Sequence, residues 1–406
     1  MNNWKRKLLH EVADVKLSNV DKKFLIDEIK VRLCNYTDVY KNAYINSEKA
    51  KSFMVASCKQ NELDTFRLNE GQVAITKDSE TRDDIGVSTY ISESFEDVVL
   101  GYHTSLITPY PKLLSGKYLH YWLNTKQAKV YFENNAGGSG QRCTLPIDII
   151  KAIPLHLPPI DLQEQIATLF YNIDSKIELN NLIKAELEAI AKTLYDYWFV
   201  QFDFPNAKGK PYKTSGGTMV WNEELKREIP EGWEVNKIEN FCRIFTGKKD
   251  VNQATDKGKY KFFSCSPNYK FSNDKLYEGK AILISGNGSY TGRTIFVDEG
   301  FDLYQRTYAC VNATETDILP YLYFSILRFL SLKIGGGTHG SAIPYIVYDD
   351  IAKETFAYNF EVVSNFQEII NPILSNIKST DIQTIKLTEL RDWLLPMLMN
   401  GQVKVN

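Results

Sequence analysis

The chain has 406 residues, long enough for two or three domains with their own cores, and its 43% hydrophobic and 24% charged content is that of a globular protein. A formal net charge of −2 excludes a protein that is basic all over, though not one with a local basic face. No apolar run is long enough to span a bilayer, and the opening Met1-Asn2-Asn3-Trp4-Lys5-Arg6-Lys7 lacks the apolar core of a signal peptide, so the expected location is the cytoplasm.

Taken in chain order, Trp4-Lys5-Arg6-Lys7-Leu8 opens a first half in which Leu68-Asn69-Glu70-Gly71-Gln72-Val73-Ala74-Ile75 places a turn glycine before an apolar run that reads as a strand. Ser115 to Leu123 reads as a short amphipathic helix, and a glycine loop, Gly137 to Arg142, ends at Leu145-Pro146. Pro158-Pro159 then precedes Asp161 and Glu164, a capping-box spacing that starts a long helix. Leu162, Ile166, Leu169, Ile173 and Ile177 recur at spacings of four and three, and after a polar patch Ile183, Leu187, Ile190, Leu194 and Trp198 continue a coiled-coil-like stripe. Some forty helical residues span about 60 Å. The turn-rich, polar stretch 201–228 reads as a connector.

The same order of features returns some two hundred residues later. Trp233 to Ile238 matches the opening, and Leu276-Tyr277-Glu278-Gly279-Lys280-Ala281-Ile282-Leu283 matches the turn and strand. Leu319 to Leu327 matches the short helix, and Gly335 to Ser341, before Ile343-Pro344, matches the glycine loop. A second long helix carries Phe366, Ile370, Ile373 and Ile377, a break near Ser379-Thr380-Asp381, then Leu390, Leu394 and Met397, with Pro396 expected to kink or end it. Neither stripe can be buried alone, so the two helices are expected to pack against each other, the alternative being that each packs on its own globular domain. The fold expected is α+β: two mixed α/β domains in pseudo-twofold repeat, joined by two long antiparallel coiled-coil-like helices.

No catalytic signature is found. Thr246-Gly247-Lys248-Lys249 lacks the first glycine and the hydroxyl of a phosphate-binding loop, and Gly286 to Gly292 misses the dinucleotide-binding spacing and reads as a tight turn. The five histidines fit no metalloprotease pattern, and the six cysteines (34, 58, 143, 242, 265 and 310) form no Cys-x-x-Cys pair, so they read as buried small hydrophobes and no metal site is expected. The loops instead hold side chains suited to base edges and phosphates. In the first half these are Lys77, Ser79, Thr81, Arg82, Ser139, Gln141 and Arg142. In the second they are Lys248, Lys249, Asn287, Ser289, Tyr290, Arg293, Gln305, Arg306, Thr338, His339 and Ser341. For any one of them, an ordinary surface or turn role is the competing reading.

Leu155 to Ile166, with Asp174 and Ile177 downstream, Tyr195 to Pro205 with Gly209-Lys210-Pro211-Tyr212, and Ile229-Pro230-Glu231-Gly232-Trp233-Glu234-Val235 together resemble the specificity subunit of Type I restriction–modification systems. The resemblance covers nearly the whole chain. It implies target-recognition domains at 1–155 and 229–357, each reading half of a split double-stranded DNA target, and spacer helices at 158–200 and 360–401. It also implies that the helices dock two modification (methyltransferase) subunits, that restriction/translocase subunits join the full complex, and that S-adenosylmethionine, ATP and Mg belong to those partners, with no cofactor in this non-catalytic chain. The second helix start, Glu361 to Ile369, departs from the Pro-Pro-Ile-Asp-Leu-Gln-Glu-Gln pattern of the first, and no Pro-Glu-Gly precedes Trp4. A specificity module of another modification or phage-defence system, and a coiled-coil scaffold binding only proteins, are the competing functional readings.

Overall fold

The computed structural model describes residues 4–138, 142–335 and 345–403. The chain divides into two compact units, Met1–Asn181 with Asp381–Asn406, and Leu182–Thr380.

In the first unit the strand Lys5–Leu8 pairs antiparallel with Pro154–Leu157, so the entrance and exit of the domain lie side by side. Between them a five-stranded sheet runs in the order Ala13–Leu17, Thr104–Pro109, Val73–Thr76, Ser88–Ile91, Tyr44–Ile45, and only the last strand joins in parallel. A second sheet of Met54–Cys58, Ile29–Cys34 and Val98–Leu100 lies in the same unit. Val73, Ala74 and Ile75 are all buried because both faces of their sheet are covered. Alternate residues feed different cores: Val73, Ile75 and Ile107 join Trp122 and Phe170, whereas Ala74 and Leu106 join Leu33 and Val99.

The second unit repeats this plan. Glu234–Lys237 pairs antiparallel with Thr355–Tyr358. The main sheet runs Cys242–Thr246, Thr307–Asn312, Tyr277–Ser285, Thr294–Leu303, Tyr260–Phe263, Lys270–Ser272, and Tyr260–Phe263 again joins in parallel. Ile282 and Ile284 face one core while Ala281 and Leu283 face another, the same alternation. The short helices Gly116–Leu123 and Leu319–Gly335 occupy corresponding places, and Tyr118 and Tyr321 each donate to a carbonyl of the closing strand, His156 at 3.0 Å and Ala357 at 2.6 Å.

The long helices are Ile160–Tyr195, continued by a π-turn at Asp196–Val200, and Phe360–Met399. Both are continuous. The polar residues Ser379 to Asp381 do not interrupt the second, which ends at Met399, shortly after Pro396. The first begins one residue before Asp161: the Pro159 carbonyl takes the amides of Leu162 and Gln163, both at 3.0 Å, and Asp161 sits inside the first turn rather than capping it. The second starts on Asn359, whose side chain accepts the Val362 amide at 3.1 Å.

Each unit contains part of both helices. In the first, Ile166, Phe170 and Ile173 share a core with Leu398 and Met399, and Leu162, Leu169, Ile177 and Leu394 pack against it. In the second, Ala191, Tyr195 and Trp198 share a core with Val363, Phe366 and Ile370, with Leu194 and Ile373 against it. Directions are therefore antiparallel. The expected stripe does not persist through the middle. Ile190 (51% exposed) and Leu390 (43%) point to solvent, Ile183 is exposed, and Leu187 and Ile377 are only half-buried and join neither core. Helical periodicity places these residues on one stripe, but among the described residues neither unit's core extends over it.

The connector is packed rather than loose. Phe202 and Phe204 are buried, their rings 5.3 Å from that of Trp233, and Arg227 donates to the Val200 carbonyl at 2.7 Å while lying over Phe202.

Candidate nucleic-acid interface

At one end of each main sheet, four chain segments are knitted together by the same backbone hydrogen bonds. In the first unit the Thr76 amide donates to Val87 (2.8 Å), Lys77 to His103 (3.1 Å), Leu145 to Lys77 (2.7 Å), and Tyr102 to Val20 (2.9 Å). In the second, Ser285 donates to Arg293 (2.9 Å), Gly286 to Arg306 (2.9 Å), Ile346 to Gly286 (2.8 Å), and Gln305 to Lys249 (2.9 Å). The bonds match donor for donor and acceptor for acceptor. Loops far apart in sequence thus form one cluster in each unit, on a rigid sheet end.

Glycine permits this closeness in the second unit. A Cβ on Gly247 would stand 1.9 Å from the Leu303 carbonyl oxygen, and one on Gly286 would stand 2.5 Å from that of Arg306, so neither position accepts a side chain without backbone movement.

The first cluster gathers Lys77, Ser79 and Arg142, because Asp78–Ser79 pairs with Cys143–Thr144. Arg82 and Arg142 are exposed. Ser79 is buried, and its hydroxyl accepts the Thr81 amide at 3.4 Å, so it shapes the turn and is not presented to a partner. Lys77 lies 3.6 Å from the Asp78 carboxylate. Burial alone would raise the Asp78 carboxyl, but hydrogen bonds from Thr144 and His103 and the Lys77 charge hold it below its ordinary value. Ser139 and Gln141 lie outside the described residues.

The second cluster gathers Lys248, Asn287, Ser289, Tyr290, Arg293, Gln305 and Arg306, with Lys248, Ser289, Tyr290, Gln305 and Arg306 exposed. The segment from Gly286 to Gly292 is the tight turn its sequence predicts, with Gly288 at φ 86° and Gly292 at φ 79°. A cavity of about 450 Å3 opens between Asn287, Gln305, Arg306, Tyr308 and Tyr345. Arg293 is half-buried and donates to the carbonyls of Ser266 (3.4 Å) and Pro267 (3.2 Å), so it clasps a neighbouring loop; burial lowers its guanidinium from the ordinary value.

Lys249, expected as a DNA contact, is held within the fold. Its ammonium meets Asp302 at 2.7 Å, Asp274 at 2.8 Å and the Ser272 hydroxyl at 2.9 Å, and Asp302 is buried. All its donors are engaged within the fold, so it neutralises a buried carboxylate rather than a phosphate. Thr338, His339 and Ser341 lie outside the described residues.

Four cluster residues escaped the sequence reading: Lys22, Tyr102, His103 and Cys265. Lys22 lies over the Tyr102 ring at 6.0 Å, and His103 holds the place that Arg306 holds in the second unit. Cys265 donates to Asn287 at 3.2 Å. Extending the repeat alignment to Gly101-Tyr102-His103 and Tyr304-Gln305-Arg306 would have found two of them. Among the described residues no group of His, Cys, Asp and Glu could hold a metal ion, and no helix is long and apolar enough to cross a membrane.

Residues 1–189 and 230–391 match the family described as Type I restriction modification DNA specificity domain. The chain is 26% identical over 313 residues to the Type I restriction enzyme MjaIX specificity subunit of Methanocaldococcus jannaschii, covering 71% of this chain and 69% of that protein. It is 21% identical to the HindI specificity subunit of Haemophilus influenzae, covering 99% of this chain and 100% of that one. Its fold is similar to the crystal structure of a Type I restriction–modification S subunit from M. genitalium, with a TM-score of 0.63 at 15% identity over 98% of this chain and 97% of that one. Its repeated sheets, its two long helices and these matches lead to one conclusion: the chain belongs to the Type I restriction modification DNA specificity family and is a specificity subunit.

Proposed function

We propose that this subunit binds a split double-stranded DNA target, each half-site read by one of the two loop clusters. The observation that carries the reading is the recurrence, in both units, of the cluster's four backbone bonds with different side chains on top: Lys77, Arg82, Arg142 and His103 in one, Lys248, Asn287, Ser289 and Arg306 in the other. A constant scaffold with variable polar tips is what two readers of different sequences require. The reading heads are residues 1–155 and 229–357.

The helices 158–200 and 360–401 would set the distance between half-sites and dock two modification (methyltransferase) subunits. Exposed apolar side chains along their middles, such as Leu182, Ile190, Ile382 and Leu390, suit a surface that a protein partner covers. Restriction/translocase subunits complete the assembly. S-adenosylmethionine, ATP and Mg act in those partners.

The test is methylation by the reconstituted complex, read by single-molecule sequencing. Exchanging residues 77–87 and 101–104 for those of a relative with another target is expected to change one half-site and leave the other half-site and the spacer as they were. A complex that shows no salt-dependent, sequence-specific DNA binding would instead mark the chain as a protein-binding scaffold.

A further inference from the structure

We infer that His103 is a base-reading residue for the half-site bound by the first unit; this rests on the loop-cluster reading above. Its backbone is unusual. His103 has φ 69°, in the left-handed region that a residue with a Cβ seldom adopts. Such conformations persist where the surroundings enforce them, and they gather at functional positions. Here the enforcing contacts are the Lys77 amide, which donates to the His103 carbonyl at 3.1 Å, and the parallel bridge between Val20 and Gly101.

The strained turn delivers an oriented ring. Nδ1 stands 2.5 Å from Oδ2 of Asp78, a carboxylate 21% exposed and also hydrogen-bonded by Thr144. The imidazole also packs on Tyr102, with ring centroids 3.9 Å apart. Held by the carboxylate and by the ring, the side chain nevertheless remains 30% exposed. A carboxylate only accepts, so Nδ1 carries the hydrogen between them and Nε2 is the ring's outward polar atom. Among the described residues no hydrogen-bond partner meets Nε2. In the major groove that nitrogen can meet a base edge: as a lone pair it accepts from N6 of adenine or N4 of cytosine, and as an N–H it donates to N7 or O6 of guanine.

The second unit gives independent support. Arg306, whose carbonyl takes the Gly286 amide as that of His103 takes the Lys77 amide, is exposed beside the cavity. The two heads therefore carry an imidazole and a guanidinium at one structural address. Those groups differ in the base edges they can meet, as distinct half-sites demand.

The deciding variant is His103→Asn. Asparagine tolerates the left-handed region, so the turn survives while the ring is lost. Methylation rates of the reconstituted complex are measured on duplexes substituted one base at a time across both half-sites. The expected result is a loss of discrimination, about tenfold or more, at one or two neighbouring positions of one half-site, with the other half-site and the spacer unchanged. Uniform weakening on every duplex, or discrimination retained everywhere, overturns the inference. Arg82→Ala combined with Arg142→Ala separates it from the reading beneath it. If that double variant weakens DNA binding and flattens its salt dependence while His103→Asn keeps full discrimination, only the role of His103 falls. If neither variant alters binding, the loop cluster itself is not the interface. His103→Gly, which relieves the backbone entirely, is expected to repeat the His103→Asn result, so a folding defect in one variant does not obscure the answer.

Discussion

The side-chain oxygen of Gln163 accepts the backbone amide of Ser115 at 3.0 Å, and Gln163 is only 1% exposed. Its amide group donates in turn to the carbonyls of Pro158 (2.9 Å) and Leu113 (3.1 Å). One glutamine therefore ties the first turn of a long helix to the loop that starts the short helix of the same unit. Gln367 does the corresponding work in the second unit, donating to the Asp317 carbonyl at 2.6 Å. Gln163→Ala strands three backbone groups, two of them in buried hydrogen bonds, and is expected to destabilise the first unit by about 2 kcal/mol. Urea unfolding followed by a probe in that unit checks this. An unchanged midpoint would mean that water replaces the side chain.

A second joint involves charge. Arg391 meets Asp174 at 2.9 Å, and the Tyr121 hydroxyl donates to the same carboxylate at 2.8 Å. Asp174 has a side chain only 9% exposed. Arg391→Ala leaves that carboxylate without its counter-ion, and a loss of about 2 kcal/mol is expected, with a smaller loss for Arg391→Ala in an Asp174→Asn background. A double-mutant cycle on unfolding midpoints measures the coupling.

Acid should weaken the first unit through His120. The ring is 4% exposed, and its Nδ1 lies 3.0 Å from the Ser88 hydroxyl. Burial lowers its value from 6.5 to about 4, with the Asp174 charge opposing and the Arg391 charge adding. The folded state thus keeps the ring neutral where the unfolded chain takes a proton, so protons favour unfolding between those values. Stability is full above about pH 6.5 and falls as pH drops toward 4, by about 3 kcal/mol at most. His120→Gln is expected to be less stable at neutral pH but to show a shallower decline between about pH 7 and 5. Unfolding midpoints across that range are the measurement.

Lys248 and Lys249 are adjacent and should behave oppositely. Lys249→Ala leaves buried Asp302 unpaired and is expected to lower the melting temperature of the second unit. Lys248→Ala is expected to leave melting unchanged, weaken DNA binding evenly across sequences, and reduce the slope of log K against log salt by about 1. Calorimetry and salt titration distinguish the two.

Four residues inserted between Ile177 and Ile183 would lengthen the first long helix by about 6 Å and rotate its C-terminal half by about 40°. The required spacer in the DNA target is expected to change while both half-sites persist, as read from methylated motifs. Altered half-sites with an unchanged spacer would sink the ruler reading.

The repeat was legible because it is written in local signals: turn glycines before apolar runs, short helices, and long helical stripes. The sheet order within each head was not, since Val73, Ala74 and Ile75 are continuously apolar and do not alternate. Register across strands was also invisible, and it is register that sets His103 against Asp78 and Arg306 beside Gly286. Lys249 reads as a surface lysine until Asp274 and Asp302, 25 and 53 residues away in sequence, are brought to it. Ile190 and Leu390, expected on the packed stripe, are 51% and 43% exposed. Periodicity identifies a helix face but not whether anything lies against it.

Leu398 and Met399 belong to the same core as Trp122, Phe132 and Phe170. That core begins with Leu9, so its members are separated by almost the whole chain. The second unit has no such span, because everything in it lies between residues 182 and 380. The unit encoded second therefore has its whole core once residue 380 is present, whereas the core that opens with Leu9 is finished only by the last turn of the second long helix.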